Sequence, residues 1–221
     1  MIATQSADRI SVAIIDDHAI IHDGITGWVA DATAPAIGVV GTYENIEQFD
    51  LGDSSADVIV LDLQFGTGAP QLASVADLCK RGLRVIVFSQ HTASHIVMEC
   101  LDLGAVTYLS KAEGRVHMLA AIQAAGTDQP YLSPTMAKAI AADDSTKRPD
   151  LSEREKEVLI SWFQTESKEL VGKRLFITEG TVKTHLGRIR TKYANVGRSA
   201  PTKAALVARA IQDGLITVDE L

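Results

Sequence analysis

The first half of this 221-residue chain is predicted to fold as an α/β domain with a doubly wound parallel sheet of five βα units. The second half is predicted to be a small all-α domain. Five short runs rich in Val and Ile recur in the first half, and each is apolar on both faces: Ile10–Ile15, Ile37–Val40, Val58–Leu61, Val85–Phe88 and Val106–Leu109. Such runs are typical of parallel strands that helices cover on both sides. Helically spaced stretches separate them, so (βα)₅ is the simplest architecture.

Four of the segments between and after these strands carry an apolar stripe at helical spacing, whereas Tyr43–Leu51 is the weakest helix prediction. The stripes are Ile21, Ile25, Trp28 and Val29; Leu72, Val75, Ala76 and Cys79; Ile96, Val97, Cys100 and Leu101; and Val116, Leu119 and Ala120. The two cysteines lie in these apolar segments, so we expect buried, reduced thiols rather than a disulfide.

The pattern changes after residue 125. Residues 126–149 contain three prolines and a polar run, which predicts a linker with one short helix near Pro134–Ala142. Beyond it the spacing is helical throughout, with four helices expected. We therefore predict a domain at 1–125, a linker at 126–149 and a second domain at 150–221.

Each helix of the second domain has a recognisable start or core. Ser152 and Glu155 have the spacing of a capping box. A short helix follows at Lys168–Leu175, and Thr178 can cap a third helix that runs to about Tyr193. Pro201 can start a fourth helix that ends near Gly214.

Composition and charge restrict the function classes. Hydrophobic residues make up 46% and charged residues 22%, as in an ordinary folded protein. No apolar run approaches the roughly 20 residues of a membrane span, and no secretory signal is evident, so a cytoplasmic protein without a membrane partner is expected. The net charge is −9 over residues 1–126 but +8 within 167–209. The acidic half suits binding of a cation, and the basic block suits binding of phosphates. The alternative is that both are ordinary solvated surfaces.

Polar residues follow four of the predicted strands. Asp16 and Asp17 follow the first strand, Asp62 the third, Ser89 the fourth and Lys111 the fifth. Because ligands bind beyond the carboxyl ends of parallel strands, these groups should converge at one edge. Clustered carboxylates need a cation or raised pKa values, and Mg²⁺ is the economical choice. Asp62 suits a carboxylate nucleophile that forms an aspartyl-phosphate.

The order and spacing of these residues, together with Tyr108, resemble the receiver domain of bacterial two-component response regulators over about residues 9–125. The resemblance implies a flavodoxin-like sheet. It also implies that Asp62 accepts a phosphoryl group from a sensor histidine kinase, with Lys111 and Ser89 at the phosphoryl oxygens. The Mg²⁺ ligands it implies are Asp16, Asp17, Asp62 and the backbone carbonyl of Gln64.

Ser89 and Tyr108 would form the switch pair of such a receiver: Ser89 moves to the phosphoryl group and the aromatic ring turns inward. The sequence departs from many receivers after Asp62, where Met-Pro is common, and at Ala112, where Pro is common. Gln64 and His91 resemble positions that tune hydrolysis of the phosphorylated state.

A second signal lies in Lys168–Leu186, which has helix-turn-helix spacing. On its second helix Val182, Leu186, Ile189 and Tyr193 form an inner face. The opposite face is small at its centre and has Lys183 and Arg188 at its edges, as suits a helix in a major groove.

This string resembles the recognition helix of LuxR-type domains over about residues 148–214, and the whole chain resembles a NarL/FixJ-class response regulator. The linker sequence Tyr131-Leu-Ser-Pro also resembles that class. The resemblance implies that Lys183 and Thr184 read bases of double-stranded DNA. It implies phosphate contacts for Thr181, Arg188, Arg190 and Lys192. For His185 two roles stay open: packing in the core of the domain, or a contact with the DNA backbone.

The predicted fourth helix, Lys203–Gln212, is apolar on most of its circumference. The surplus predicts a helix-to-helix homodimer, and burial against the first domain of the same chain is the alternative. The hypothesis is a phosphorylation-gated DNA-binding transcriptional regulator, not an enzyme. One alternative is a DNA-binding regulator whose receiver works without phosphorylation. A remote alternative is an aspartate-nucleophile phosphohydrolase. Such enzymes have the pattern Asp-x-Asp after the first strand, whereas this sequence has Asp16-Asp17-His18 there.

Overall fold

The protein is described by a computed structural model over residues 9–32, 35–52, 55–66, 68–127, 129–142, 147–165 and 167–220. The strands of the first half are β1 (Ile10–Ile15), β2 (Ile37–Tyr43), β3 (Val58–Leu61), β4 (Arg84–Ser89) and β5 (Thr107–Ser110). Its helices are α1 (Ala19–Ala30), α2 (Ile46–Leu51), α3 (Leu72–Lys80), α4 (Ser94–Leu103) and α5 (Gly114–Gly126). The second half contains α6 (Pro134–Ala142), α7 (Glu153–Phe163), α8 (Lys168–Leu175), α9 (Glu179–Asn195), α10 (Lys203–Gln212) and a 3₁₀ turn (Val218–Glu220).

The five strands form one parallel sheet in the order β2-β1-β3-β4-β5, which confirms the predicted doubly wound architecture. β3 and β5 are buried along their whole length, because helices cover both faces of the sheet. α1 and α5 pack on one face. On the other face the core includes residues of α3 and α4 and continues into the helical half.

Several boundaries differ from the sequence prediction, by one residue at β4 and β5 and by more at β2. β2 runs three residues further, to Tyr43, and pairs with β1 through a register shift between Val12 and Ala13. α10 begins at Lys203 rather than at Pro201, because the Thr202 hydroxyl accepts a hydrogen bond from the Ala205 amide and caps the helix.

The linker helix α6 is fastened to β5 by hydrogen bonds on both sides of its first residue. The Ser133 hydroxyl donates to the Tyr108 carbonyl at 2.5 Å, and the Thr107 hydroxyl donates to the Tyr131 carbonyl at 3.0 Å. The Thr135 amide donates to Glu113 Oε1 at 2.7 Å. α6 also packs against α4 and β5, so this part of the linker is an extension of the α/β domain.

In the helical half, α7, α8 and α9 pack against one another. Ser152 and Glu155 make the reciprocal capping box at the start of α7. Gly172 lies where α8 meets the following turn, and a Cβ there would stand 2.6 Å from the Ile177 carbonyl oxygen. Only glycine therefore allows this close approach between the two helices of the motif.

The surplus apolar surface of α10 is used within the same chain. α10 packs against α4 and α6, and the whole stretch from Lys203 to Ala210 is buried. Arg209 Nη2 donates to Asp102 Oδ1 at 2.5 Å, and the Thr202 hydroxyl donates to the Ala105 carbonyl at 3.4 Å. The structure therefore shows the second of the two predicted possibilities, in which α10 is buried against the first domain of the same chain.

Two smaller expectations concern the cysteines and the membrane. Both thiols are free, as expected, but only Cys100 is buried and Cys79 is half-buried. Burial raises the pKa of the Cys100 thiol to about 12 and that of Cys79 to about 11. Among the described residues, no helix is both long and apolar enough to cross a membrane.

Candidate functional site

An acidic cluster lies at the carboxyl edge of the sheet, where β1 and β3 end side by side. Asp16 is 1% exposed and Asp62 3% exposed. Lys111, which follows β5, places its Nζ 2.7 Å from Asp16 Oδ2 and 2.7 Å from Asp62 Oδ2. Burial lowers the pKa of Lys111, but the two carboxylates outweigh burial and raise it. The ammonium therefore stays charged between its two partners.

The rest of the cluster comes from the loops after β1 and β3. Ligand atoms of Asp16, Asp17, His18 and Asp62 all lie within 4.8 Å of one another. The Gly66 amide donates to Asp17 Oδ2 at 2.8 Å, and Gly66 has the positive φ of +68° that this turn needs. Burial raises the pKa of Asp17, but this hydrogen bond and the nearby His18 and Lys111 lower it overall.

His18 is the member that the sequence analysis missed. Its Nδ1 lies 3.0 Å from Asp16 Oδ1 and 2.8 Å from Asp17 Oδ1, while its side chain is 59% exposed. Its backbone amide also donates to Asp16 Oδ1 at 2.9 Å. The only signal in the sequence is its place directly after the paired aspartates.

The donor set fits a hard divalent cation. Three carboxylates converge, two of them nearly fully buried, and carboxylate oxygens are the ligands that Mg²⁺ prefers. One oxygen of Asp62 accepts from the Leu63 amide at 2.6 Å and the other contacts Lys111. Gln64 lines the small cavity of about 210 Å³ beside Asp62, and its side-chain oxygen accepts from Gln90 at 2.6 Å.

The two predicted switch residues are both completely buried. Ser89 lies at the end of β4, and its hydroxyl makes no well-formed hydrogen bond with the residues that the structure describes. The Tyr108 hydroxyl donates to the His91 carbonyl at 2.6 Å. Burial raises the pKa of Tyr108 well above its usual range. The aromatic ring is thus already turned inward in this structure.

On α9 the predicted inner face is buried and the predicted outer face is exposed. Val182, Leu186, Ile189 and Tyr193 have no exposed surface. Exposed side chains on the other face include Lys183, Thr184 and Arg188. Lys183 makes a helical ion pair with Glu179 at 2.7 Å. Thr181, at the first turn, shares a 2.9 Å hydrogen bond with Thr178.

Two predicted DNA-binding residues, Arg190 and Lys192, also make contacts inside the protein, and a third, His185, is partly buried. The Arg190 guanidinium lies 5.5 Å from the centroid of the Trp162 ring. Lys192 Nζ lies 2.7 Å from both Glu155 Oε2 and the Asp150 carbonyl oxygen. The His185 Nδ1 is buried and has no hydrogen-bond partner among the described residues.

Comparison with known proteins agrees with both halves. Residues 12–123 match the response regulator receiver domain family, and residues 149–198 match the bacterial regulatory proteins of the luxR family. The chain is 31% identical to the nitrate/nitrite response regulator NarL of Escherichia coli K12, covering 82% of this chain and 88% of NarL. It is 28% identical to the transcriptional regulatory protein LiaR of Bacillus subtilis, covering 90% of this chain and 96% of LiaR.

Solved structures show the same architecture. The response regulator ChrA of a heme-sensing two-component system is 28% identical, with a TM-score of 0.50 and coverage of 94% of this chain and 99% of ChrA. A structure of RcsB dimers bound to DNA is 19% identical, with a TM-score of 0.54 and coverage of 93% of this chain and 99% of that chain, and this likeness shows the fold alone.

The fold and the two sites therefore define a class: a receiver domain joined to a helix-turn-helix domain. The chain belongs to the LuxR-type response regulators, the family that includes NarL and LiaR. It is a DNA-binding protein of a two-component system, and the relatives named here are transcriptional regulators.

Proposed function

We propose that this protein is a transcriptional regulator whose DNA binding is gated by phosphorylation of Asp62. The observation that carries the proposal is the contact of Asp62 with Lys111 at the sheet edge, beside Asp16 and Asp17. We also propose the division into a receiver at 1–125, a linker at 126–149 and a DNA-binding domain at 150–221. α6 belongs to the linker by sequence but is packed on the receiver.

The proposed chemistry is phosphoryl transfer from a phosphohistidine of a sensor histidine kinase. A carboxylate oxygen of Asp62 bonds to phosphorus as the phosphorus–nitrogen bond breaks, and the histidine leaves with the electron pair of that bond. Lys111 and Ser89 bind phosphoryl oxygens. The Ser89 hydroxyl is available for this contact, because it makes no well-formed hydrogen bond with the described residues.

Asp16, Asp17, Asp62 and the Gln64 carbonyl would hold Mg²⁺. When bound, the cation neutralises charge that develops on the phosphoryl oxygens. His18 Nδ1 contacts carboxylate oxygens of Asp16 and Asp17 that would also bind the cation. The exposed His18 ring must therefore move away when the ion binds. Ile20, 77% exposed at the rim of the cavity beside Asp62, offers the kinase an apolar contact.

The gating step is the release of α10 from the receiver. The path from the site is short: Glu113, two residues after Lys111, accepts from the Ser110 amide at 2.8 Å and from Thr135 of α6. α6 contacts α10 directly. A change in the loop that carries Lys111 therefore reaches α10 through one helix. Release would free the apolar face of α10 for a second copy on double-stranded DNA, with paired half-sites.

One observation favours a second candidate, a regulator that works without phosphorylation. Tyr108 already lies inward with its hydroxyl on the His91 carbonyl, which is the position expected after switching. If the receiver adopts this position without phosphorylation, phosphorylation would change its conformation less.

The test is intact-mass measurement of the full chain after incubation with acetyl phosphate and Mg²⁺, beside Asp62→Asn. The proposal predicts one added phosphoryl group in the native protein and none in the variant. It also predicts tighter DNA binding after modification. A stable adduct with unchanged DNA affinity contradicts the gating step, and no adduct in rapid-quench samples favours the second candidate.

A further inference from the structure

A cavity outside the acidic cluster lies between the two domains. Its volume is about 430 Å³, within the range of small-molecule sites. The receiver contributes the α3–β4 connection and the loop between α4 and β5. The helical half contributes α7, α8, α9 and the start of α10. We call this cavity the interdomain cleft.

The interdomain cleft is lined by cationic side chains from both domains. Lys80 and Arg84 come from the receiver, and Lys168, Arg190 and Lys203 come from the helical half. None of the lining residues that the structure describes is acidic. This excess of cations among the described lining residues gives the concave surface a positive potential, which attracts anions.

One aromatic ring organises the helical side of the cleft. The centroid of Trp162 lies 5.7 Å from Lys168 Nζ, 5.5 Å from Arg190 Cζ and 5.4 Å from Lys203 Nζ. The cations thus surround a largely buried apolar surface, and Leu83, Leu103 and Pro201 extend it. A ligand that matches both features has an anionic group and an apolar body.

A polar group in the same cleft lacks an acceptor. Gln129 Oε1 accepts from Lys203 Nζ at 3.2 Å, but Gln129 Nε2 is buried and has no hydrogen-bond partner among the described residues. An unsatisfied buried donor carries a free-energy penalty, which an acceptor in the cleft would remove. This amide carries no charge itself, and it also points to an oxygen-bearing ligand.

We infer that the interdomain cleft binds a small organic anion, a carboxylate or a phosphate ester with an apolar or aromatic body. Because both domains line the cleft, a bound anion favours the arrangement in which they stay together. It therefore opposes DNA binding, a consequence that rests on the proposed gating by domain release.

Binding is measured on the unphosphorylated full chain without DNA, so its outcome does not depend on Asp62. Trp28→Phe leaves Trp162 as the only tryptophan and hence as a fluorescence reporter inside the cleft. The probes are two matched pairs, benzoate with benzamide and AMP with adenosine. The charged member of at least one pair should bind at least about tenfold more tightly than its neutral partner. The pair that binds distinguishes a carboxylate from a phosphate ester.

The variants Lys80→Gln and Lys168→Gln test the two sides of the cleft. Each should weaken binding by about threefold to tenfold. Lys173→Gln makes the same charge change on α8, but Lys173 lies outside the cleft and should leave binding unchanged. Equal binding of neutral and charged probes, unchanged affinity in both cleft variants, or no binding of any probe at millimolar concentration would overturn the site. Unchanged DNA affinity at saturating anion would overturn its regulatory consequence.

Discussion

Lys183 and Arg188 lie on the exposed face of α9, and each retains its charge for DNA. The ion pair of Lys183 with Glu179 is exposed, so it contributes little and can be exchanged for a base contact. Lys192 pairs instead with the buried Glu155 and with the Asp150 carbonyl, so a DNA phosphate would compete with these two partners. At the scale of single residues, basic side chains on one helix therefore differ in how readily they can contact DNA.

Lys183→Ala should weaken binding to a cognate site by about 1–3 kcal/mol if this side chain reads a base. Arg188→Ala should weaken cognate and random DNA alike and reduce the slope of log affinity against log salt by about one. Both are measured by titration over a range of salt, with Lys138→Ala in the exposed part of α6 as control. The assignment of roles is wrong if both variants lose affinity equally on cognate and random DNA.

Among the elements, α7 shows how a local sequence signal also serves tertiary structure. Glu155 accepts from the Ser152 amide at 2.8 Å as part of the capping box, and its Oε2 also pairs with Lys192 of α9. Burial raises the pKa of Glu155, but these hydrogen bonds and the lysine charge lower it overall. One carboxylate thus starts a helix and fastens it to the recognition helix.

The lowered pKa of Glu155 predicts a pH-dependent contribution to stability. The contribution is fully present above the ordinary value of 4.5 and is lost as the pH falls through the lower pKa of the folded state. Glu155→Gln should reduce the free energy of unfolding by about 1–2 kcal/mol at pH 7, because the amide keeps the cap but loses the charge.

The measurement is urea unfolding of the full chain between pH 7 and pH 3. The difference between native protein and Glu155→Gln should shrink below pH 4.5. Glu153→Gln is the matched control, because that neighbour is 85% exposed and pairs only with Lys156 in the described structure. A constant difference across the range would show that ionisation of Glu155 does not contribute.

At the scale of the whole molecule, the contact between α10 and α4 decides which surfaces are available. Arg209 is 5% exposed and Asp102 is 29% exposed, so their ion pair lies mostly out of water. Removing one partner of such a pair costs more than breaking a surface pair. The pair should therefore hold the domains together in the unphosphorylated protein.

Asp102→Asn should raise the DNA affinity of the unphosphorylated protein, by up to the roughly 1.5–3 kcal/mol of a hydrogen bond to a charged group. The control is Asp31→Asn, which removes a carboxylate that pairs with Arg115 on the receiver surface. DNA affinity is measured for both without acetyl phosphate. If Asp102→Asn binds DNA as weakly as the native protein, the closed arrangement does not limit DNA binding.

Local patterns in the sequence determined the elements and the class of protein. Val- and Ile-rich runs, capping residues and the inner stripe of α9 depend on neighbours along the chain, so their spacing alone indicates strands and helices. The residues at the strand ends could also be predicted together, because the parallel topology brings all carboxyl ends to one edge. The second domain could be recognised because its motif is contiguous.

Only the tertiary structure decided what depends on residues distant in sequence. The sequence left two partners open for α10, because an apolar face does not specify what covers it; the structure places α4 and α6 there. The inward position of Tyr108 and the stacking of Arg190 on Trp162 follow from packing between elements. The interdomain cleft likewise forms only where the two domains meet, because its cationic residues are spread along the sequence from Lys80 to Lys203.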